Sequence, residues 1–450
     1  MRVSATPLPP VDPVHRLFED GAEEAIGNYF VANYPPFSAW QRNDIPGFLE
    51  RLATPARTGV PLGAYVHIPF CRKRCHFCYF RVYTDRNATE IRAYLDALGE
   101  EAQRFASTPF AARPLSFLYF GGGTPSYLSI AQLDHLVGRL AAALDLEALE
   151  EFAFECEPGT LTPGKLERIR ALGVTRLSLG VEHLDDGILE ANNRAHRSAE
   201  VYRAYGEARE AGFPQINLDL IAGMAGDRES TWRLAVEETI RLAPDAVTIY
   251  QMESPRNTTF AKQMREGSGT PALPGWRVKR EWTSWAFGAL RQAGYTRSSA
   301  YTAVRDPARA RFVYRDALWH GADMLALGVS SFGHADGWHY QNEAAIGPYL
   351  EKVQGGGFAA SRALRISPEE AMIRQFVLQL KTGAVQRSWF RKAFSCDILD
   401  RFADGLALME EHGLARITEE GPRLTEAGYL RVDRVIPVFF LPEHRDIPYA

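Results

Sequence analysis

Between about residues 63 and 260 the chain alternates short apolar runs with longer amphipathic ones, and this alternation constrains the fold more than any other feature. The short runs are 65–68 (YVHI), 115–120 (LSFLYF), 152–156 (FAFEC), 176–180 (RLSLG), 216–221 (INLDLI) and 246–250 (AVTIY). They read as largely unalternating, the pattern of parallel strands covered on both faces. The helices between them carry start and stop signals. Ser129 with Gln132 forms a capping box ahead of Ile130, Leu133, Leu136, Val137 and Leu140 at helical spacing. Thr162-Pro163 reads as N-cap and first-turn proline, with Gly173 past the helix end; another helix opens at Ser198 and ends near Gly212. Six β/α units in series predict an α/β fold with a parallel sheet, open or curled into a partial barrel.

Four regions are expected. Residues 1–60 form an N-terminal extension with a Pro-rich opening (MRVSATPLPPVDPV) and an aromatic stretch, Tyr29, Phe30, Tyr34, Phe37 and Trp40, that should pack elsewhere. Residues 61–260 form the β/α core. In 261–360 the alternation fades: a linker at 266–275 (EGSGTPALPG) precedes a long helix rich in Trp and Phe, and GADMLALGVSSFGH (321–334) ends a segment read as closing the core. Residues 361–450 open on a capping box, Ser367 with Glu370, before an apolar helix. A helix around 397–412 and a hairpin around 415–425 complete a winged-helix-like module.

The apolar fraction of 46% and charged fraction of 24% are ordinary globular values. Lys+Arg 51 against Asp+Glu 55 gives −4, so no global charge draws the chain to nucleic acid or an anionic membrane. With no signal-peptide core at the N-terminus and no apolar run of membrane-spanning length, a soluble cytoplasmic protein is expected. The five cysteines are Cys71, Cys75, Cys78, Cys156 and Cys396. An odd number, three of them clustered, is no disulfide framework and points to a reducing compartment with a metal or redox site.

Cys71-Arg-Lys-Arg-Cys75-His-Phe-Cys78 has CxxxCxxC spacing. It lies just past the first strand, at the carboxyl end, where parallel β/α folds bind ligands. Three thiolates can hold three irons of a [4Fe–4S] cluster and leave the fourth open; Arg72, Lys73, Arg74 and Arg81 would offset its negative charge. The alternative is structural zinc, with His67 or His76 as the fourth ligand. Cys156 and Cys396 read as buried small apolar residues. Gly121-Gly122-Gly123-Thr124-Pro125 follows the second strand, where consecutive glycines let backbone approach a ligand or simply make a tight turn. Glu155 ends the third strand and Asp219 sits within the fifth. Acids in apolar strands are costly unless paired or functional; with Arg194 they are expected to wall one cavity.

CxxxCxxC after the first strand of a β/α series resembles the radical S-adenosylmethionine (SAM) superfamily. The series YVHIPFC, YFGGGTPSYL, FECEP, RLSLGVE, NNRAH, INLDLI and GVSSFGH, covering about residues 60–440, resembles more narrowly its oxygen-independent coproporphyrinogen III oxidase-like branch. The resemblance implies a partial (β/α)6 TIM-like barrel with a C-terminal winged-helix-like module. It implies a [4Fe–4S] cluster on Cys71, Cys75 and Cys78 whose open iron binds SAM. SAM is then cleaved to a 5′-deoxyadenosyl radical that abstracts hydrogen from an organic substrate. Tyr65, Gly122 and Glu155, with Gly121–Thr124, fall around this first SAM. Phe77, Gly123, Thr124, Glu182, Arg194, Asp219 and Glu253 fall where the oxidase contacts a second SAM, and Glu182, Arg194 and Asp219 are the expected catalytic set.

Two departures count against coproporphyrinogen decarboxylation. The oxidase's fourth cysteine, two positions past the third, is Phe80 here, and Glu182 stands where the oxidase has glutamine. The related haem chaperone also lacks that cysteine, but its haem-binding His-Asn…Tyr-Trp pattern is unmatched; His320 or His334 are the remaining haem-ligand candidates. A third branch uses the second SAM as carbon donor to an sp² carbon. The expected reaction is therefore oxidative decarboxylation or methyl or methylene transfer, with haem carriage as the alternative. The expected partners are a tetrapyrrole or natural-product intermediate and a one-electron donor such as flavodoxin or ferredoxin. Neither nucleic acid nor membrane is expected, and the chain is expected to be a monomer.

Overall fold

Six parallel strands, β1 (Leu62–Ile68), β2 (Phe117–Gly122), β3 (Glu151–Cys156), β4 (Arg176–Glu182), β5 (Gln215–Ala222) and β6 (Ala246–Gln251), pair in chain order. The computed structural model describes residues 30–255, 257–267 and 273–445. Residues 1–29, which include the Pro-rich opening and Tyr29, and residues 268–272 of the linker lie outside the described residues.

The strands alternate, contrary to the sequence-based expectation. Val66, Ile68, Leu118, Phe120, Phe152, Phe154, Leu177, Leu179, Leu218, Leu220 and Val247 join one apolar core beneath the outer helices. Polar residues that alternate with them, among them Ser178, Asn217, Asp219 and Thr248, hydrogen-bond across the sheet's other face. Arg176 donates to Ser178 Oγ at 3.0 Å, Asn217 donates to Ser178 Oγ at 3.3 Å and to Asp219 Oδ1 at 2.9 Å, and Thr248 donates to Asn217 Oδ1 at 3.0 Å. Side chains alternate along a strand, so one face is sealed by helices and the other lines an interior with its own polar network.

The helix signals are used as written. Ser129 and Gln132 cap the helix Ile130–Ala143 reciprocally, Thr162 caps Pro163–Ala171, and Gly173 and Gly212 take positive φ past helix ends.

The sheet does not stop at six strands. β7 (Thr296–Arg297) and β8 (Thr302–Val304) extend it antiparallel beyond β6. β9 (Asp323–Leu327), inside the GADMLALGVSSFGH segment, pairs parallel with β1. β10 (Phe332–Ala335), β11 (Trp338–Asn342) and β12 (Ala360–Arg365) follow as an antiparallel meander. The edges β12 and β7 do not pair, so the barrel is partial. The extension packs beside the opening: Phe37 and Trp40 contact Phe332, Trp40 stacks on His339, and Tyr34 packs on Phe440.

The C-terminal module is winged-helix-like. The helices Pro368–Leu380 and Arg387–Phe394 precede the hairpin β13 (Ala415–Thr418) and β14 (Gly421–Leu424), and the helix Glu426–Val435 follows it. The helix expected over 397–412 is broken into Ile398–Arg401 and Ala403–Glu411. The break falls at Phe402 (φ −110°, ψ 21°), whose ring stacks on Phe376 at 4.2 Å and meets Phe439 at 5.4 Å. Burying that ring outweighs the one helical turn it interrupts. Among the described residues no helix is long and apolar enough to cross a membrane.

Candidate active site

A cavity of about 420 Å³ opens at the carboxyl ends of the six strands. The loop after β1 closes on itself: Tyr83 N donates to Pro69 O at 2.8 Å and Cys71 N to Tyr83 O at 3.1 Å, while Cys78 N donates to Cys75 O at 3.1 Å. Cys71, Cys75 and Cys78 line one wall of the cavity. Gly123 N donates to Ile68 O at 2.7 Å, and a Cβ there would stand 2.8 Å from that oxygen and 3.0 Å from Cys71 Sγ. Only glycine allows this approach between the two loops.

Two donors point at the sulfurs. Thr124 Oγ1 donates to Cys71 Sγ at 3.3 Å and Arg194 Nη1 to Cys75 Sγ at 3.2 Å. Burial pushes the Cys71 thiol up to about 12 and the Cys78 thiol up to about 11, so ionisation there needs a strong electrophile such as bound iron. Among the described residues no three His, Cys, Asp or Glu side chains close on a single-ion position. A cubane places each cysteine on a separate iron and asks for wider spacing than one zinc does. Three thiols on one wall, with hydroxyl and guanidinium donors aimed at two of them, fit a three-cysteine [4Fe–4S] cluster.

The opposite walls are acidic. Glu155 accepts from Tyr119 Oη at 2.7 Å and Gly122 N at 3.1 Å; burial pushes its carboxyl up to about 7. Asp219 accepts from Asn217, and burial holds it well above the usual carboxylate range. Glu182 takes φ 62° at a register shift in β4, a left-handed backbone state that few non-glycine residues adopt. Its carboxylate lies 3.4 Å from Arg194 Nη2, which also donates to Gly180 O at 2.6 Å. Glu253 accepts from Phe30 N at 3.1 Å, and burial pushes it up to about 8.

Phe77, Gly122, Gly123, Thr124, Glu155, Glu182, Arg194, Asp219 and Glu253 thus share one cavity with the three cysteines. Tyr65 and Gly121 stand behind its wall. Tyr65 Oη lies 3.3 Å from His67 Nδ1 with its ring on Tyr119, and Gly121 packs beside Tyr119 and Glu155. The histidines singled out from sequence have other settings: His76 Nδ1 lies 3.3 Å from Ala191 O, and His320 Nδ1 lies 2.7 Å from Asp316 O. His334 is buried against His339 at 3.2 Å. Neither His320 nor His334 lines the cavity.

Sequence reasoning missed the residues that hold the site together. Glu157 takes a two-point hydrogen bond from Arg72 (2.9 Å each) and lies 3.1 Å from His196 Nδ1, tying the cysteine loop to β3 and β4. Burial alone would raise the Glu157 carboxyl, but His196 and Arg72 hold it down at about 2. Glu157 sits inside FECEP and Tyr119 inside YFGGG, so both were in view; their partners were distant in sequence.

The sequence profile described as the Radical SAM superfamily matches residues 65–238, the span carrying the cysteine loop and β1–β5. The oxygen-independent coproporphyrinogen III oxidase of Salmonella typhimurium is 27% identical over 398 residues, 84% of this chain and 85% of that protein. The heme chaperone HemW of Bacillus subtilis is 28% identical over 381 residues, 84% of this chain and 98% of that protein. The solved coproporphyrinogen III oxidase (HemN) of Escherichia coli superposes with a TM-score of 0.80 at 26% identity, covering 91% of this chain and 96% of that one. The chain carries a radical SAM domain and resembles the coproporphyrinogen III oxidase-like family. A [4Fe–4S] cluster and SAM are the cofactors of that superfamily. The relatives divide between an oxidase and a haem chaperone, so the resemblance does not by itself select a reaction.

Proposed function

We propose that this radical SAM enzyme binds two molecules of SAM in this cavity and uses the second as carbon donor to an sp² carbon of a small-molecule substrate. The carrying observation is the row of carboxylates, Glu155, Glu182, Asp219 and Glu253, in the same cavity as the three cysteines. Among the described residues only Glu182 of these four has an ion-pair partner, Arg194. An excess of buried acid suits cationic ligands, and SAM carries a sulfonium and an ammonium.

Cys71, Cys75 and Cys78 would hold a [4Fe–4S] cluster, which when bound would supply one-electron chemistry to a SAM beside it. The chain's own residues do the rest. Thr124 and Arg194 keep two sulfurs in place, and Gly122 and Gly123 bring backbone to the ligand without a side chain in between. Glu155, oriented by Tyr119, and Asp219, oriented by Asn217, face the cavity from β3 and β5 and hold cationic groups there. Glu182, in the place of the oxidase's glutamine, adds a charge that a second sulfonium would offset. Tyr429 and Asp433 bring the winged-helix-like module to the cavity's rim, which helps exclude water from a radical. Lys73, Arg74 and Arg81 are exposed on the cysteine loop and suit an acidic electron donor of the flavodoxin or ferredoxin class. Phe80 at the fourth-cysteine position removes a thiol and leaves an aromatic ring on the cavity wall.

Equilibrium binding of SAM to anaerobically reconstituted, unreduced protein tests the stoichiometry. Two molecules per chain are expected, falling to one in Asp219→Asn. One molecule in the unsubstituted protein overturns the two-SAM reading. In turnover with substrate, S-adenosylhomocysteine is expected beside 5′-deoxyadenosine. Loss of two carboxyl groups from coproporphyrinogen III would instead assign the oxidase reaction.

A further inference from the structure

The helix Asp186–Ala191 closes in a Schellman turn: Asn193 takes φ 56°, its N–H reaches Glu190 O at 2.9 Å, and the Arg194 N–H reaches Leu189 O at 2.8 Å. Asparagine tolerates that left-handed state better than most residues. The residues of this turn are fastened to the cysteine loop one after another. Asn192 O accepts from His76 N at 3.2 Å, Asn193 Nδ2 donates to Arg74 O at 2.8 Å, and Arg194 Nη1 donates to Cys75 Sγ at 3.2 Å. The last of these brings a full positive charge to a sulfur, whereas Cys71 receives the neutral Thr124 hydroxyl.

Arg194 is gripped from its other side as well. Nη2 donates to Gly180 O at 2.6 Å and lies 3.4 Å from Glu182 Oε1. A Cβ on Gly180 would stand 2.9 Å from that carboxylate oxygen and 3.3 Å from Nη2, so the pair closes over a residue that must lack a side chain. Both side chains are largely buried, at 11% and 13% exposure, and water screens their charges little. The other cations of the cysteine loop are engaged elsewhere: Arg72 by Glu157, and Arg74 Nη2 by the Cys78 and Asn257 carbonyls. Glu182, Arg194 and Cys75 therefore form one chain of contacts, carboxylate to guanidinium to sulfur.

From this chain of contacts we infer that Arg194 and Glu182 set the reduction potential of a cluster on Cys75 in opposite directions, Arg194 raising it and Glu182 lowering it. The inference rests on the reading that the three cysteines hold a [4Fe–4S] cluster, and it adds what decides how readily that cluster takes an electron. Reduction adds negative charge to a cluster and its thiolates, and the potential follows the net charge and the hydrogen bonds at the sulfurs. A guanidinium bonded to Cys75 Sγ favours the added electron. A carboxylate 3.4 Å behind that guanidinium offsets the effect. In this role both are positioning residues, acting through Cys75 rather than on a substrate. Glu182→Gln neutralises the carboxylate as a bound cation would.

The test is potentiometry of anaerobically reconstituted protein without SAM, followed by the electron paramagnetic resonance signal of the reduced cluster. The series is run at about pH 8 to favour the ionised Glu182, because burial raises its carboxyl. Arg194→Gln is expected to lower the equilibrium constant for one-electron reduction at least tenfold, about 59 mV downward. Arg194→Lys, which keeps the charge and loses the fork, should fall between Arg194→Gln and the unsubstituted protein. Glu182→Gln should raise the constant at least threefold. Unchanged potentials, or shifts of the same sign in Arg194→Gln and Glu182→Gln, would overturn the inference, since damage to the site has no reason to move the potential in opposite directions. If Arg194→Gln assembles no cluster, the sign of the Glu182→Gln shift decides alone. Unsubstituted protein without labile sulfide or a reduced-cluster signal would instead refute the cluster reading, and the inference with it.

Discussion

Replacing Glu157 with glutamine keeps the side chain's shape and removes its charge. Glu157 is buried, at 8% exposure, and it holds two partners at once: Arg72 on the cysteine loop and His196 beyond β4. Its carboxyl is held at about 2 against an ordinary 4.5, a difference worth about 3 kcal/mol at neutral pH. The Arg72 side chain is 34% exposed, so solvent screens part of its share, and a glutamine oxygen can still accept one bond. The expected loss in Glu157→Gln is therefore about 2 kcal/mol in urea unfolding at pH 7. The sign with pH follows from the depressed folded value. The stabilisation is complete above about 4.5 and is lost as pH falls through about 2, so protein and variant converge over that window. A double-mutant cycle with Arg72→Ala isolates the clamp and should give a coupling of about 1–2 kcal/mol. Because Arg72 follows Cys71, the variant should also retain less iron after reconstitution. A coupling below about 0.5 kcal/mol, the worth of an exposed pair, would show that Glu157 does not tie the cysteine loop to the barrel.

Gly123→Ala should abolish SAM cleavage while leaving the far-ultraviolet circular dichroism unchanged, since its methyl would meet Ile68 O at 2.8 Å and Cys71 Sγ at 3.0 Å. Glu101, buried under hydrogen bonds from Gly328 N, Asn342 and Tyr349, gives an opposite pH dependence to Glu157. Burial pushes it up to about 7, so stability is greatest below about 4.5 and declines as pH rises towards 7; Glu101→Gln should flatten that slope in thermal melts. Phe402→Ala should cost about 3–5 kcal/mol by emptying the space between Phe376 and Phe439, read from urea unfolding of the whole chain.

The β/α series was legible because each strand and helix carries its own local signal: the capping box at Ser129, the Thr162-Pro163 start and the glycines at helix ends all sit in contiguous sequence. The alternation within the strands was equally present, as in Asn217 and Asp219 between Ile216, Leu218 and Leu220, yet the apolar majority masked it. β9 was not legible, because nothing near Asp323–Leu327 shows that it pairs with β1, some 260 positions earlier. In the site, the cysteine loop, the glycine run and the strand-borne acids were readable from residue type and position. Their orienting partners were not: the Tyr119–Glu155 bond and the Arg72–Glu157–His196 clamp are made only by folding.

The central claim is that Cys71, Cys75 and Cys78 hold a cluster that cleaves SAM in this cavity. The most direct test is to reconstitute the protein anaerobically, reduce it with dithionite, add SAM and quantify 5′-deoxyadenosine by mass spectrometry, beside the Cys71→Ala/Cys75→Ala/Cys78→Ala variant. Accumulation with the unsubstituted protein and none above background with the variant is the predicted result. Protein shown to carry four irons and labile sulfide, yet forming no 5′-deoxyadenosine, would contradict the account.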